Sequence, residues 1–432
     1  MSLIVGGKSV RRRIRRNHFY FIIILILFAS IGVGYAALTS TISINGTTQI
    51  TSAKWDVHFA NYSLGANTSG GYAQPSITDN GTKLTISKIG LSAGTEVEYY
   101  VDVVNAGSID ARLSGLIKSN LTTEQQQYLS YNVTYGFNTP IKENDLLKAG
   151  TSERIRISVV YSEDKTVAPA TSQTISNLTF RLDYVQDKGN GIARPKLCKR
   201  ATTLHTGTVG TSTTIENYGQ IGTSGTLASG DAFDCDVNGD GTYDAATERF
   251  YYVTDLDGDS NTAVLIFYGN SNSSGVSLTN RTYYAYLGNN YSGPLTAINH
   301  LPTTTAWPRV GLIKKTSQIY NEKGGTTAAY STNTTTTHNL PKFTYKTAAR
   351  LLTYQEYRKI NGNFLWENFG DGGQIAGCIW LNTPVSSTGQ SNAVYAITPP
   401  ASTTLGIMPF DGANTFCGVR PVIEVLKTDM IY

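Results

Sequence analysis

The chain reads as a mainly β protein: an N-terminal transmembrane helix, then an antiparallel β-sandwich, then a second, α+β domain. Three features predict this. A basic block runs directly into an uncharged apolar segment. Beyond that segment, short stretches of alternating apolar and polar residues recur between turn residues. The same region is rich in Thr, Ser, Asn, Gly and Tyr, with 27 tyrosines and only 15% charged residues in the whole chain. β-Branched and aromatic residues favour strands, and Gly and Asn favour the turns between them.

Residues 1–18 form a basic cytoplasmic segment containing Lys8, Arg11, Arg12, Arg13, Arg15 and Arg16. Residues 19–38, FYFIIILILFASIGVGYAAL, approach the roughly 20 apolar residues that cross ~30 Å of hydrocarbon as a helix. The arginines hold the flank inside, so everything after Leu38 is expected outside the cell. The segment has two readings, a retained anchor or a signal peptide cleaved near Gly34-Tyr35-Ala36. The six cations exceed the formal net charge of +4, which leaves the exported part slightly acidic. No nucleic-acid surface is implied.

Residues 39–186 carry the sandwich signal in TISINGTTQI, KWDVHF, KLTISKIGL, VEYYVDVVNAG, RIRISVVY and ISNLTFRLDYV. In RIRISVV, Ile155, Ile157 and Val159 alternate with Arg154, Arg156 and Ser158, the pattern of a strand with one face buried. A helix is expected at Thr122–Leu129, where Thr is followed by Gln at capping distance. The stretch DKGNGIARPKL, with two Gly and a Pro and no apolar period, opens a linker over 187–200.

Residues 201–432 begin with strands at DAFDC, ERFYYVT and TAVLIFY, which suggest a meander. Helical signals follow at Leu295–Trp307 and Thr353–Ile360, the latter opened by a Thr353/Glu356 capping box. Ser331–His338, STNTTTTH, reads as an exposed low-complexity loop. Cys198, Cys235, Cys378 and Cys417 are even in number and all exported, so disulfides are permitted. Three connectivities are possible, and the local one, Cys198 with Cys235 and Cys378 with Cys417, is favoured.

The sharpest motif is DCDVNGDGTYDAATE. Asp236, Asn238, Asp240 and Asp244 fall at positions 1, 3, 5 and 9 of an oxygen-rich calcium loop, with Gly241 at position 6. Thr242 would offer its carbonyl, and Glu248 comes one residue late for the bidentate position. Asp255, Asp257 and Asp259 follow across the strand FYYV and are expected to complete the shell. The candidate cofactor is therefore Ca²⁺, against a hairpin of Asx-turns that needs no metal. Nothing comparable supports catalysis. His58, His205, His300 and His338 are in no metal-ligand spacing, and there is no GxSxG elbow or phosphate-binding loop.

Two resemblances add to this reading. GYAALTSTISINGTTQITSAKWDVHF, just after an export segment, resembles the opening of camelysin-like (TasA-like) bacterial surface and matrix proteins, which implies a jelly-roll-like sandwich over the first 185 residues or so. The order AARLLTYQEY, GCIWLNTP and FCGVRPVIEV resembles C-type-lectin-like and formylglycine-generating-enzyme-like surface modules. Its anchors are Trp380-Leu381 and Gly418-Val419-Arg420-Pro421. The EPN, QPD and WND triplets of sugar-binding lectins are missing, as is the catalytic cysteine spacing of the formylglycine enzymes. The resemblances imply a non-enzymatic, membrane-anchored surface protein whose sandwich presents a C-type-lectin-like domain to an extracellular protein or glycan. The alternatives are a matrix subunit that self-associates by strand addition, and an enzyme of formylglycine type.

Overall fold

The computed structural model describes residues 53–432 except 79–80, 82, 137, 164–172, 210–212, 314–315, 319, 322–324, 326, 331–335, 341, 370–376, 386–392 and 399–405. The basic segment, the apolar segment 19–38 and the strand expected in TISINGTTQI lie outside them. Among the described residues no helix is long and apolar enough to cross a membrane.

Alternating side chains build the first domain as two antiparallel sheets. One sheet has the order Val57–Leu64, Glu96–Asn105, Ser152–Tyr161, Leu129–Tyr135, Thr139–Pro140. The other runs Gly71–Tyr72, Lys83–Leu91, Gln173–Gln186, Ala111–Lys118, Leu146–Leu147, with Ser76–Thr78 paired to Lys83–Leu91. Leu84, Ile86, Val101, Ile155, Ile157 and Phe180 from facing strands form one buried core. The sandwich therefore stands.

The polar face of the first sheet departs from the expected half-buried pattern. Glu98 is fully buried and Tyr100 is 4% exposed. Tyr100 packs with Ile313 and Leu426 of the second domain. Beside it the Arg156 Nη2 donates to Glu96 Oε1 at 3.0 Å, its Nε donates to Glu98 Oε1, and Arg154 Nε meets Asp102 at 2.7 Å. Alternation marks which residues face away from the sandwich core, and here that second face is covered by another domain.

The connecting segment is fastened to both sides. Leu146 N–H donates to the Ile192 carbonyl at 2.9 Å, and Arg194 pairs with Glu153 of the sandwich and with Asp429 near the C-terminus. The second domain starts with the strand Cys198–Arg200. Its larger sheet has the order Val422–Leu426, Asp259–Phe267, Arg249–Leu256, Ala232–Cys235, Cys198–Arg200, Met430–Ile431, so the expected meander sits at its centre. A second sheet runs Arg281–Thr282, Cys417–Gly418, Ile379–Pro384, Ala393–Thr398, Gly406–Asp411. Both sheets share one hydrophobic cluster, which includes Phe250, Phe267, Trp307, Trp380 and all four cysteines.

Disulfides join Cys198 to Cys235 and Cys378 to Cys417, the local connectivity. The first links register partners of adjacent strands. The helical content is smaller than expected. Thr122–Leu129 contains only the 3₁₀ turn Gln125–Gln127, which buries no side chain and so gains no packing for a longer helix. Leu295–Trp307 contains the 3₁₀ turn Ala297–His300, and Thr353–Ile360 contains the α-helix Tyr354–Tyr357 with the expected capping box. In the expected loop Ser331–His338, Thr336–Asn339 is a strand paired with Thr327–Tyr330, because Thr suits a pleated backbone as well as a loop.

Candidate functional site

The loop Asp236–Glu248 joins the strand Ala232–Cys235 to Arg249–Leu256, and its Asx pattern gives it a hairpin of side-chain-capped turns. Asp236 Oδ1 accepts from Gly239 N–H at 2.9 Å and its Oδ2 from Gly241 N–H at 3.2 Å. Asn238 Oδ1 accepts from Asp240 N–H, Asp240 Oδ1 accepts from Thr242 N–H, and Asp244 Oδ1 accepts from Ala246 N–H, each at 2.8 Å. Hydrogen bonds from Thr242 hold Asp240 below the usual carboxylate range.

Tested for a calcium ion, this arrangement does not fit. Glu248 is turned back beneath the loop, where Val237 and Asn238 N–H donate to Oε1 and Asp244 N–H donates to Oε2. Burial pushes its carboxyl up to about 7, and both of its oxygens are taken by these backbone donors. Asp236 is already paired with the guanidinium of Arg309. Asp255, Asp257 and Asp259 lie at the far end of Arg249–Leu256, about 20 Å away at strand rise, and cannot complete the shell. Asp255 is held there by Tyr252 and Lys427. Among the described residues no group of three or more His, Cys, Asp and Glu could hold a metal.

The larger feature is an open cleft of about 720 Å³ lined by Tyr357, Arg358, Asn361, Trp366, Gln220 and Ser229, with Gly219 and Gly230 at its base. Its two walls come from segments far apart in sequence and are stitched together. Asn363 Nδ2 donates to the Asn217 carbonyl at 2.6 Å while its Oδ1 accepts from Gly219 N–H at 2.9 Å, and Asn361 N–H donates to Ser229 Oγ at 3.1 Å. Gly219 has φ +76°, and a Cβ there would stand 2.5 Å from the Gly230 carbonyl oxygen. Only glycine allows that approach.

One wall is positioned by a buried charge node. The capping box at Thr353 starts the helix Tyr354–Tyr357, and Glu356 accepts from Arg350 Nη2 at 2.6 Å. Arg350 Nε donates to Glu424 at 2.7 Å. Burial opposes ionisation of Glu356, yet the adjacent guanidinium holds its carboxyl below the ordinary value. The turn Phe364–Trp366 then brings Trp366 into the cleft, with its indole N–H buried and making no hydrogen bond. The next residue, Glu367, turns the other way, accepting from Tyr251 Oη and pairing with His205. Behind it Arg420 donates to the Leu365 and Glu367 carbonyls, and burial pushes its guanidinium down to about 10.

The cleft thus offers two aromatic rings, side-chain amides, a hydroxyl, one exposed guanidinium and no carboxylate. That is equipment for stacking and hydrogen bonding. No nucleophile–base pair lines it. Sequence reasoning found the helix start but missed the cleft. The available signal was the run YQEYRKINGNFLW, where aromatics alternate with Asn and Gly, and its partner wall at Gly219–Gly230 gave none. A separate exposed aromatic patch holds Phe416 and Tyr286, with Tyr283 4.1 Å from the Phe416 ring. Against protein-family models, curated proteins and solved structures the chain finds no match. The functional reading therefore rests on these residues.

Proposed function

We propose that this is a non-enzymatic cell-surface binding protein, anchored or exported through residues 19–38, whose second domain takes an extracellular saccharide chain in the Tyr357/Trp366 cleft. The observation that carries the reading is the cleft itself. Sugars present apolar C–H faces that stack on aromatic rings and hydroxyls that pair with amides, and this wall supplies both without a carboxylate. Its openness suits a ligand that continues beyond the site. Two disulfides and the Thr/Ser/Asn-rich surface composition agree with an extracellular setting.

The test is retention of the purified chain on insoluble cell-wall sacculi, chitin and cellulose. Retention on at least one is expected, falling about tenfold in Trp366→Ala, since an aromatic stacking contact is worth ~1 kcal/mol or more. Phe416→Ala, on the separate patch, should bind as the parent does. Equal retention of the Trp366 variant, loss confined to the Phe416 variant, or retention on none of the three materials refutes the assignment.

A further inference from the structure

Five asparagines of the chain are followed by glycine: Asn45, Asn80, Asn190, Asn238 and Asn361. The first two lie outside the described residues. Such a pair is chemically fragile, because a glycine nitrogen, with no Cβ beside it and a permissive backbone, can reach the asparagine side-chain carbon and close a five-membered ring. The nitrogen must first give up its proton. A glycine N–H that donates to a carboxylate is therefore protected twice, since the hydrogen bond must break and the new negative charge must form beside an existing one.

Two of the three described pairs are protected in this way. Gly191 N–H donates to Asp187 Oδ1 at 2.8 Å. Gly239 N–H donates to Asp236 Oδ1 at 2.9 Å, and the Asn238 side chain is itself held, its Oδ1 accepting from Asp240 N–H at 2.8 Å and its Nδ2 donating to Asp240 Oδ2 at 3.1 Å. The third pair is different. Asn361 and Gly362 are both exposed, and neither the Asn361 side-chain amide nor the Gly362 N–H makes a hydrogen bond among the described residues. A Cβ on Gly362, whose φ is +121°, would meet only the Phe364 ring, at 3.7 Å. The chain is anchored on either side, by Asn361 N–H to Ser229 Oγ and by the Asn363 amide to Asn217 and Gly219, while the peptide between stands clear.

We propose that Asn361 is a self-modification site on the cleft wall, converting without an enzyme to aspartate and β-linked isoaspartate. The Gly362 nitrogen, its proton lost to hydroxide, attacks Cγ of Asn361. The Cγ–Nδ2 bond breaks and the side-chain nitrogen leaves as ammonia. Water then adds to either ring carbonyl, and the ring opens to the α- or β-linked acid with no change in oxidation state. Asn361 lines a cleft that has no carboxylate and one exposed guanidinium, Arg358. Modification puts a negative charge there, and the β linkage adds a backbone atom between the Ser229 and Asn363 anchors. This chemistry is independent of what the cleft binds.

The test ages the folded full-length chain in mildly alkaline buffer and follows each Asn-Gly peptide by mass spectrometry, with fragmentation that separates aspartate from isoaspartate. Asn361 should convert about tenfold faster or more than Asn190 and Asn238, the factor expected when a charge-assisted hydrogen bond must break before reaction. Both isomers should form. In guanidinium the three rates should converge, and in folded Asp187→Ala, which releases Gly191 N–H, Asn190 should accelerate toward Asn361. Asn361→Gln, whose longer side chain closes a larger ring, should stay intact at that position. An Asn361 that keeps its amide while Asn190 or Asn238 converts, equal rates at the three sites in the folded chain, a product without isoaspartate, an unfolded chain that keeps the same ranking, or an Asp187→Ala variant with unchanged Asn190 each overturns the proposal.

Discussion

Removing one disulfide gives the most quantitative handle on this fold. The bond between Cys378 and Cys417 closes 39 residues of chain and that between Cys198 and Cys235 closes 37. In the chain-entropy description, closing a loop of either length restricts the unfolded state by about 4 kcal/mol, and the two lengths differ by less than about 0.1 kcal/mol. All four cysteines belong to one hydrophobic cluster, so both losses fall on the same cooperative unit. For a domain of this size about 4 kcal/mol corresponds to roughly 8–16 °C in melting temperature.

The variants are Cys378→Ala/Cys417→Ala and Cys198→Ala/Cys235→Ala, measured by calorimetry on oxidised protein. Similar drops of about 10 °C are expected from both. The native sites differ sharply: Cys198 and Cys235 are direct register partners in a sheet, whereas Cys417–Gly418 meets Ile379–Pro384 through the single bridge Ile379↔Gly418. A large inequality between the variants would therefore place the effect in the folded state and refute the unfolded-state reasoning. Four alkylatable thiols in the native parent would remove its premise.

Two further perturbations probe buried charge. Arg350→Met should lose about 3–5 kcal/mol by melting, because it strands the carboxylates of Glu356 and Glu424, and a loss below ~1 kcal/mol would contradict the node at the cleft wall. Glu248 is raised from 4.5 to about 7 by burial, with Asp236 and Asp240 adding repulsion against hydrogen bonds from Asp244 and Asn238. A raised folded value means the contribution is fully present below pH 4.5 and is lost as pH rises through 7. The parent should thus lose melting temperature relative to Glu248→Gln between pH 5 and 8, and parallel profiles would refute the buried placement.

What was legible in the sequence depended on range. Ile155, Ile157 and Val159 alternate along one strand, and that local period placed the sandwich core correctly. The Thr353/Glu356 box was equally local and holds. The helices at Thr122–Leu129 and Leu295–Trp307 contracted to single turns, since a cap starts a helix but only a buried apolar stripe lengthens it. The calcium-like loop depends on contacts about which spacing says nothing. Arg309 lies far along the chain from Asp236, and Glu248 folds beneath the loop. The cleft was invisible for the same reason, because Gly219 and Trp366 are neighbours only in the folded chain.

The polar face of the sandwich shows how such long-range placement changes the energetics of a surface. Arg156 falls on the polar side of its strand's alternation, and a sandwich standing alone would leave it and its partners Glu96 and Glu98 hydrated, where ion pairs contribute little. Covered by the second domain, the same groups are desolvated, so removing one partner of a pair would cost several kcal/mol. The apolar part of this contact is small, with Tyr100, Ile313 and Leu426 at its centre. The ion pairs on this face join strands of the sandwich itself, Arg156 with Glu96 and Glu98 and Arg154 with Asp102, and it is Arg194 in the connecting segment that meets both Glu153 of the sandwich and Asp429 of the second domain. A flexible tether would let the cleft sample all directions. Here the connecting segment is also bonded to the sandwich through its backbone, Leu146 N–H donating to the Ile192 carbonyl at 2.9 Å, so the tether is pinned at both Ile192 and Arg194.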